Sequence, residues 1–196
     1  MNQFQHPVVL VGERVKLIPL DNTHFESLVK IATNKQIWQF MSIDGTEKNV
    51  LLTFLRSAIM RRAIGDQYPF TVIDNKSGAI IGCTLFHNIF FEHRKLEIGW
   101  TWYSPNYWRT GYNRECKLLL LTHCFETLKL TRVQFQTDEN NLRSRTAILG
   151  IGAKQEGILR NDRIRSDGTL RNSVMFSIID TEWDDCKDAL KNSLSV

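Results

Sequence analysis

The chain has 196 residues, of which 42% are hydrophobic and 23% charged, the composition of an ordinary soluble globular domain rather than of a disordered or collagen-like chain. Its longest aliphatic run is the four leucines at 118–121, far short of the ~20 apolar residues that a bilayer crossing needs. Lys and Arg number 25 against 21 Asp and Glu, a net charge of +4, too weak for a dedicated nucleic-acid binder.

Residues 14–20 alternate in polarity and end at Pro19, which predicts a first strand. Asp21 or Thr23 caps a helix over 25–32, where Phe25, Leu28, Val29 and Ile31 or Ala32 recur at helical spacing. A second helix is expected over 46–64, with Val50, Leu51, Phe54, Leu55, Ala58 and Ile59 on one face and Gly65 as its stop. The period then changes to two. Antiparallel strands are predicted over 70–73, 79–87 and 96–103, with turns at 75–78 and 92–95. A long helix over 112–128, apolar around more than half its girth, belongs against the sheet. A strand over 132–137, a helix over 142–149 ended by Gly150 and Gly152, strands over 153–159 and 173–179, and a helix over 181–190 complete the chain. The order βααβββαβαββα predicts an α/β domain with a mixed, largely antiparallel sheet and helices on both faces. With no repeat, no low-complexity tract and only four scattered prolines, a single domain over 1–196 is the economical reading.

Residues 1–7 lack the basic-apolar-small pattern of a secretory leader, so a cytoplasmic location is expected. Cys83, Cys116, Cys124 and Cys186 contain no C-x-x-C pair and read as reduced, mostly interior thiols. Charge is unevenly spread: between 141 and 171 seven Arg or Lys face three acids, whereas 180–196 holds five acids and two lysines. The basic segment is either one side of an anion site or a solvated face.

The most informative stretch runs from Leu96 through Tyr103 to Lys117: a strand, a short aromatic loop and a helix start. Such a junction presents unpaired backbone N–H groups at the positive end of a helix dipole, which suits a pyrophosphate. Gly111 removes a Cβ from the approach, and Arg109 and Arg114 add charge there. Arg114 is poorly placed for the helix dipole unless an anion sits beside it. Phosphate-loop and dinucleotide fingerprints are both absent.

With its surroundings this stretch resembles the GNAT acyl-CoA N-acyltransferase superfamily, in its branch of ribosomal-protein N-terminal acetyltransferases (RimJ/RimL-like). The markers are Glu97-Ile-Gly-Trp100, Tyr107-Trp-Arg-Thr-Gly-Tyr-Asn113 with Glu115, Thr137-Asp-Glu-Asn-Asn-Leu-Arg-Ser144, Gly150-Ile-Gly-Ala-Lys-Gln-Glu-Gly157 and Asp167-Gly168, and the resemblance spans nearly the whole chain. It implies a GNAT-like fold and acetyl-CoA as co-substrate, without a metal, held where strands 96–103 and 132–137 splay. It also implies pantetheine pairing with the backbone near Trp102 and Tyr103. The pyrophosphate is then expected on Trp108, Arg109, Thr110, Gly111, Tyr112, Asn113 and Arg114. Trp108 stands where the family commonly has Gln or Arg, and Asn113 where it has a small residue. Arg143 and Arg145 are candidates for the 3′-phosphate of CoA.

Acyl transfer to an amine needs a proton acceptor, a polarised carbonyl and a leaving thiolate. Glu97, expected on the same sheet face as Gly99 and Thr101, is the candidate base, or else a surface or hairpin-paired glutamate. The family's Asn-x-x-Ser implies that Asn141 binds pantetheine and Ser144 protonates the sulfur; plain capping by Asn141 is the alternative. His87, His93 and His123 are not placed by any motif. The acceptor groove is expected between 38–43 and 161–170, although Trp38, Phe40 and Met41 equally suit core packing. The acceptor is an amine, either a protein N-terminus or a small molecule, with no nucleic acid and no membrane partner, and a homodimer stays open. The rival from another class is a non-catalytic acyl-CoA-binding module of the same fold; nucleic-acid binding through 160–171, which predicts strongly salt-dependent affinity, stands last.

Overall fold

A computed structural model of the chain describes residue 4 and residues 7–194; most of the polar stretch read at 1–7 lies outside them. Among these residues eight strands form one sheet: β1 (Leu10–Val11), β2 (Val15–Pro19), β3 (Tyr68–Asp74), β4 (Ile80–Phe90), β5 (Lys95–Tyr103), β6 (Arg132–Asp138), β7 (Lys154–Ile164) and β8 (Leu170–Ile179). Their spatial order is β1-β2-β3-β4-β5-β6-β8-β7. Only the β5–β6 contact is parallel. The helices are α1 (Phe25–Ile31), α2 (Lys48–Ala63), α3 (Tyr112–Thr122), α4 (Leu142–Leu149) and α5 (Trp183–Leu194). The α/β class, the mostly antiparallel sheet and the helices on both faces are those expected. No helix of the described residues is long and apolar enough to cross a membrane.

Each sheet face has its own core. On one, Phe25 and Leu28 of α1 and Leu51, Leu55 and Ala58 of α2 cover Cys83, Leu85 and Trp102. On the other, Cys116, Leu120 and Leu121 of α3 and Trp183, Cys186 and Leu190 of α5 cover Phe70, Phe86, Ile98, Phe135 and Phe176. Each fully buried Leu or Phe contributes about 1.5–3 kcal/mol relative to exposure, so the apolar periodicity of the helices decides which face each one covers. All four cysteines are free and buried, as their spacing implied.

Several bounds shift by a few residues, and three departures from the sequence reading have a plain physical reason. β1 is too short to show a period; only Leu10↔Leu17 and Val11↔Lys16 define it. α3 ends as an α-helix at Thr122 and continues as a π turn over His123–Thr127. β7 runs on to Ile164 through a polar run predicted as loop, because a shift in register between Leu159 and Arg163, with Asn161 at a φ of 50°, lets the hairpin to β8 keep pairing.

Glu115, on the first turn of α3 and buried, fastens this helix to the other end of the sheet. Its carboxylate accepts three consecutive backbone N–H groups from the turn between β1 and β2: Glu13 at 2.7 Å and Arg14 at 2.9 Å, and Val15 at 3.1 Å. Removing it leaves the buried Val15 N–H and two part-buried donors without their acceptor. Glu115→Ala is expected to lower the unfolding free energy by about 2–4 kcal/mol, measured by urea denaturation, with Glu115→Gln intermediate.

Candidate active site

β5 and β6 pair for three residues only: Lys95↔Arg132, Leu96↔Val133 and Glu97↔Gln134. Beyond them β5 stays with β4 as far as Tyr103, and β6 stays with β8 as far as Asp138. The two strands therefore diverge and their facing edges lose their ladder partners. A cavity of about 710 Å³ occupies the gap, reaching from Glu97 and His87 to the loop that starts α3.

A bulge in β5 determines what faces this cavity from above and below. Leu85 pairs with Gly99 but Cys83 pairs with Trp102, so Thr84 alone opposes Trp100 and Thr101, and Trp100 takes a φ of 50°. The extra residue reverses the alternation of side chains. The expectation that Glu97, Gly99 and Thr101 share a face is thereby corrected. Thr101 turns to the α3 side, where its Oγ1 lies 2.7 Å from Thr84 Oγ1 and accepts from Lys117 Nζ at 3.0 Å. Trp102 turns to the α1–α2 side and packs on Trp38, with ring centroids 5.2 Å apart.

On the α1–α2 side Glu97 is 3% exposed. Its Oε2 accepts from Asn88 Nδ2 and Gln134 Nε2, each at 3.0 Å. His87 Nε2 stands 3.2 Å from Oε1, off the line of a good hydrogen bond and otherwise unpartnered. Burial works against the charged carboxylate, but His87, Gln134 and Asn88 together outweigh it and hold Glu97 below the ordinary glutamate range. A Cβ at Gly99 would collide with the His87 imidazole and push it from its place beside Glu97. Glu97 is thus both hairpin-paired and a cavity carboxylate, and its burial excludes the surface glutamate that the sequence also left open. Asn88 and Gln134 were not singled out from sequence, and His87 was a possible base that no motif placed. A cross-strand count would have placed His87 opposite Glu97 only with knowledge of the irregular turn, in which Asn88 and Arg94 both take positive φ.

At the other end Gly111 precedes α3 with a φ of 88° and no side chain caps the helix, so the N–H groups of residues 112–114 lack intrahelical acceptors. A Cβ on Gly111 would meet the Arg14 guanidinium. Arg143 lies over the Trp108 ring, 3.8 Å from its centroid, and burial followed by the nearby charge of Arg109 lowers its proton affinity. Two guanidiniums, a glycine turn and bare amides converge, an arrangement suited to phosphate oxygens.

Of the residues singled out from sequence, Glu97, Trp102, Tyr103, Trp108, Arg109 and Thr110 line the cavity, as do Gly111, Asn113, Arg114, Asn141 and Ser144. Tyr112 and Arg145 do not. The Tyr112 hydroxyl donates to Asp74 Oδ1 at 3.0 Å, and Arg145 Nη1 donates to the Glu139 carbonyl at 3.1 Å. Arg143 takes the cavity position. Asn141 caps α4, its Oδ1 accepting from Ser144 N at 3.0 Å. Trp38 belongs to the core, donating to the Ala32 carbonyl at 2.7 Å, whereas Phe40 and Met41 reach the cavity.

Lys117 is a further cavity residue that no motif marks. It is 6% exposed beneath the divergence, with Nζ 5.6 Å from the centroid of the Phe135 ring. Its signal was a lysine three and four positions before Leu120 and Leu121 on the apolar stripe. Burial pushes its pKa from 10.5 down to about 8. The unfolded chain therefore holds this proton to higher pH than the folded one, and Lys117 makes stability rise from pH 8 to 10.5. The buried thiols Cys83 and Cys116, raised to about 12, ionise first in the unfolded chain over the same window and pull stability down, so the contribution of Lys117 is read as a difference: in denaturant titrations the stability of the unmodified chain relative to Lys117→Met should rise from pH 8 to 10.5.

The fold and cavity have counterparts among known proteins. Residues 14–154 match the family described as Acetyltransferase (GNAT) domain. The N-acetyltransferase YoaA of Bacillus subtilis, itself uncharacterized, is 24% identical over 176 residues, covering 87% of this chain and 96% of the relative. A GCN5-related N-acetyltransferase from Brucella melitensis superposes with a TM-score of 0.89 at 25% identity, over 96% of this chain and 86% of that one. RimJ of Mycobacterium smegmatis, crystallised with CoA-disulfide, shares the fold with a TM-score of 0.82 at 20% identity, over 96% and 97% of the two chains. With its diverging strands, glycine-led helix and matching sequence pattern, the chain belongs to the GNAT acetyltransferase family.

Proposed function

We propose that the chain is an acetyl-CoA-dependent N-acetyltransferase of the RimJ/RimL-like branch, located in the cytoplasm, that moves an acetyl group directly to a primary amine. The observation that carries this reading is the divergence of β5 from β6 with a phosphate-type site at one end and a buried carboxylate at the other. The likeness in fold to RimJ supports it. The open edge of β5 near Trp102 and Tyr103 suits an extended pantetheine, which would complete the ladder as an added strand. Arg109, Arg143 and the first amides of α3 suit the pyrophosphate.

In the reaction the amine nitrogen attacks the thioester carbonyl, a C–N bond forms and the C–S bond breaks. The amine's proton passes to Glu97, directly or through a water, while Asn88 and Gln134 hold the carboxylate in place. CoA leaves as the thiolate and takes a proton from Ser144 or solvent. The depressed pKa of Glu97 keeps it ionised and ready to accept, at the expense of basicity. The thiols give no support to an acyl-cysteine intermediate: burial raises Cys83 and Cys116 to about 12, far from the reactive thiolate range.

Calorimetric titration should show micromolar binding of acetyl-CoA and CoA with ATP silent. No CoA binding would remove the reading, and binding without thiol release from any amine would favour a non-catalytic module. Glu97→Gln should retain acetyl-CoA binding and slow thiol release by about 10²–10⁴; undiminished turnover would remove Glu97 as the base.

A further inference from the structure

Arg171 of β8 and Arg163 of β7 are cross-strand partners and both line the cavity. They share its wall with Gln136, which accepts from Arg163 Nη2 at 2.9 Å and stands two residues along β6 from the Gln134 that holds Glu97. A polar track therefore runs from the carboxylate to the arginines on one sheet face. The segment 38–43 closes it from above: Ser166 N donates to the Met41 carbonyl at 3.1 Å, and Arg171 Nη1 reaches the Phe40 carbonyl at 3.4 Å.

Arg171 is 9% exposed, yet among the described residues no carboxylate forms an ion pair with it and its Nε has no partner. The nearby acids are engaged elsewhere. Asp138 holds Arg165, with Nε 2.6 Å from Oδ2 and Nη2 3.1 Å from Oδ1. Asp162 Oδ2 accepts from Gln136 and lies 3.3 Å from Arg163 Nε, a contact too poorly aligned to satisfy that nitrogen. Three arginines thus face two aspartates. Ser173, two residues from Arg171 and buried, also has an unpartnered Oγ. A buried guanidinium without an ion-pair partner of its own is unfavourable, and this one lines a substrate-sized cavity.

We infer that Arg171, with Arg163, recognises the acceptor, and that the acceptor is an amine carrying a carboxylate several bonds from its nitrogen. The inference rests on the amine-transfer reading above and names its substrate class. A planar guanidinium fork matches a carboxylate in two parallel hydrogen bonds. The spacing argues for a long skeleton: Gln134 and Gln136 stand about 7 Å apart along the strand, whereas a free α-amino acid separates its amine and carboxylate by a single carbon. An ω-amino acid, or a peptide whose second residue is acidic, spans the distance.

Matched acceptors test this on the unmodified protein. Thiol release from acetyl-CoA is compared for 5-aminovalerate against 5-aminovaleramide, and for Ser-Asp-Ala amide against Ser-Asn-Ala amide, the two pairs separating small-molecule from peptide sources. At least one acid is expected to exceed its neutral twin by about tenfold or more in kcat/KM. Arg171→Gln should erase that difference, chiefly through KM. Equal use of acid and neutral twins, or a preference that survives Arg171→Gln, would overturn the inference while leaving acetyl transfer intact. Calorimetric titration of the N-acetylated compounds onto CoA-saturated protein separates the two claims. Binding of only the acidic products, without turnover of any amine, would sustain the anion site and remove the transfer reading. Absence of both preferential turnover and preferential binding would overturn the inference outright.

Discussion

The parting of β5 and β6 after Glu97↔Gln134 is the constraint on which the site depends. A parallel pair continued to Tyr103 and Asp138 would have closed the sheet and left no room between its faces. Each strand instead follows its outer neighbour, β5 with β4 and β6 with β8. The cavity is consequently a gap in the hydrogen-bonded layer itself, lined on both sides by backbone groups that still require partners. The helix that starts at Gly111 begins at one mouth of this gap, and Glu97 stands where the strands separate.

The bulge at Trp100 gives the two sides of the gap different chemistry. Because it reverses the alternation, Glu97 and Gly99 face α1 and α2, while Thr101 meets Lys117 beneath the sheet. The α1–α2 side holds the polar track of Glu97, Gln134, Gln136 and the arginines, and the α3 side holds Lys117 over Phe135. Lys117 is tolerated because its pKa falls with burial, so that its neutral form is accessible at mild pH. Arg171 has no comparable escape, since a guanidinium stays charged in a protein, and the two aspartates near it, Asp138 and Asp162, are taken up by Arg165 and by Gln136 and Arg163.

Much of the scaffold was legible in the sequence. The helices at 25–32, 46–64 and 142–149 and the alternating strands declared themselves because their apolar periods are long enough to be counted. The loop through Arg109 and Gly111 was legible for a chemical reason, since glycine and arginine at a helix start conflict with ordinary helix preferences unless something anionic is near. Less visible were the short β1, the continuation of β7 and the identity of the buried polar partners. A two-residue strand has no period, and a polar run such as 160–163 reads as loop unless the partner strand is known.

What the sequence determined by itself was local: the elements, their inward faces, the reduced thiols, the phosphate-type turn and the family pattern. Those features depend on neighbours within a few positions, which spacing records. Only the tertiary structure decided that His87 and Gln134 frame Glu97, that Thr101 lies on the opposite face, that Tyr112 and Arg145 turn away from the cavity, and that Arg171 is left buried without a carboxylate. Each of these turns on register or on which residues of distant strands meet. A single inserted residue in β5 reverses a face, and charge pairing among Asp138, Asp162 and three arginines is settled only when β6, β7 and β8 lie side by side.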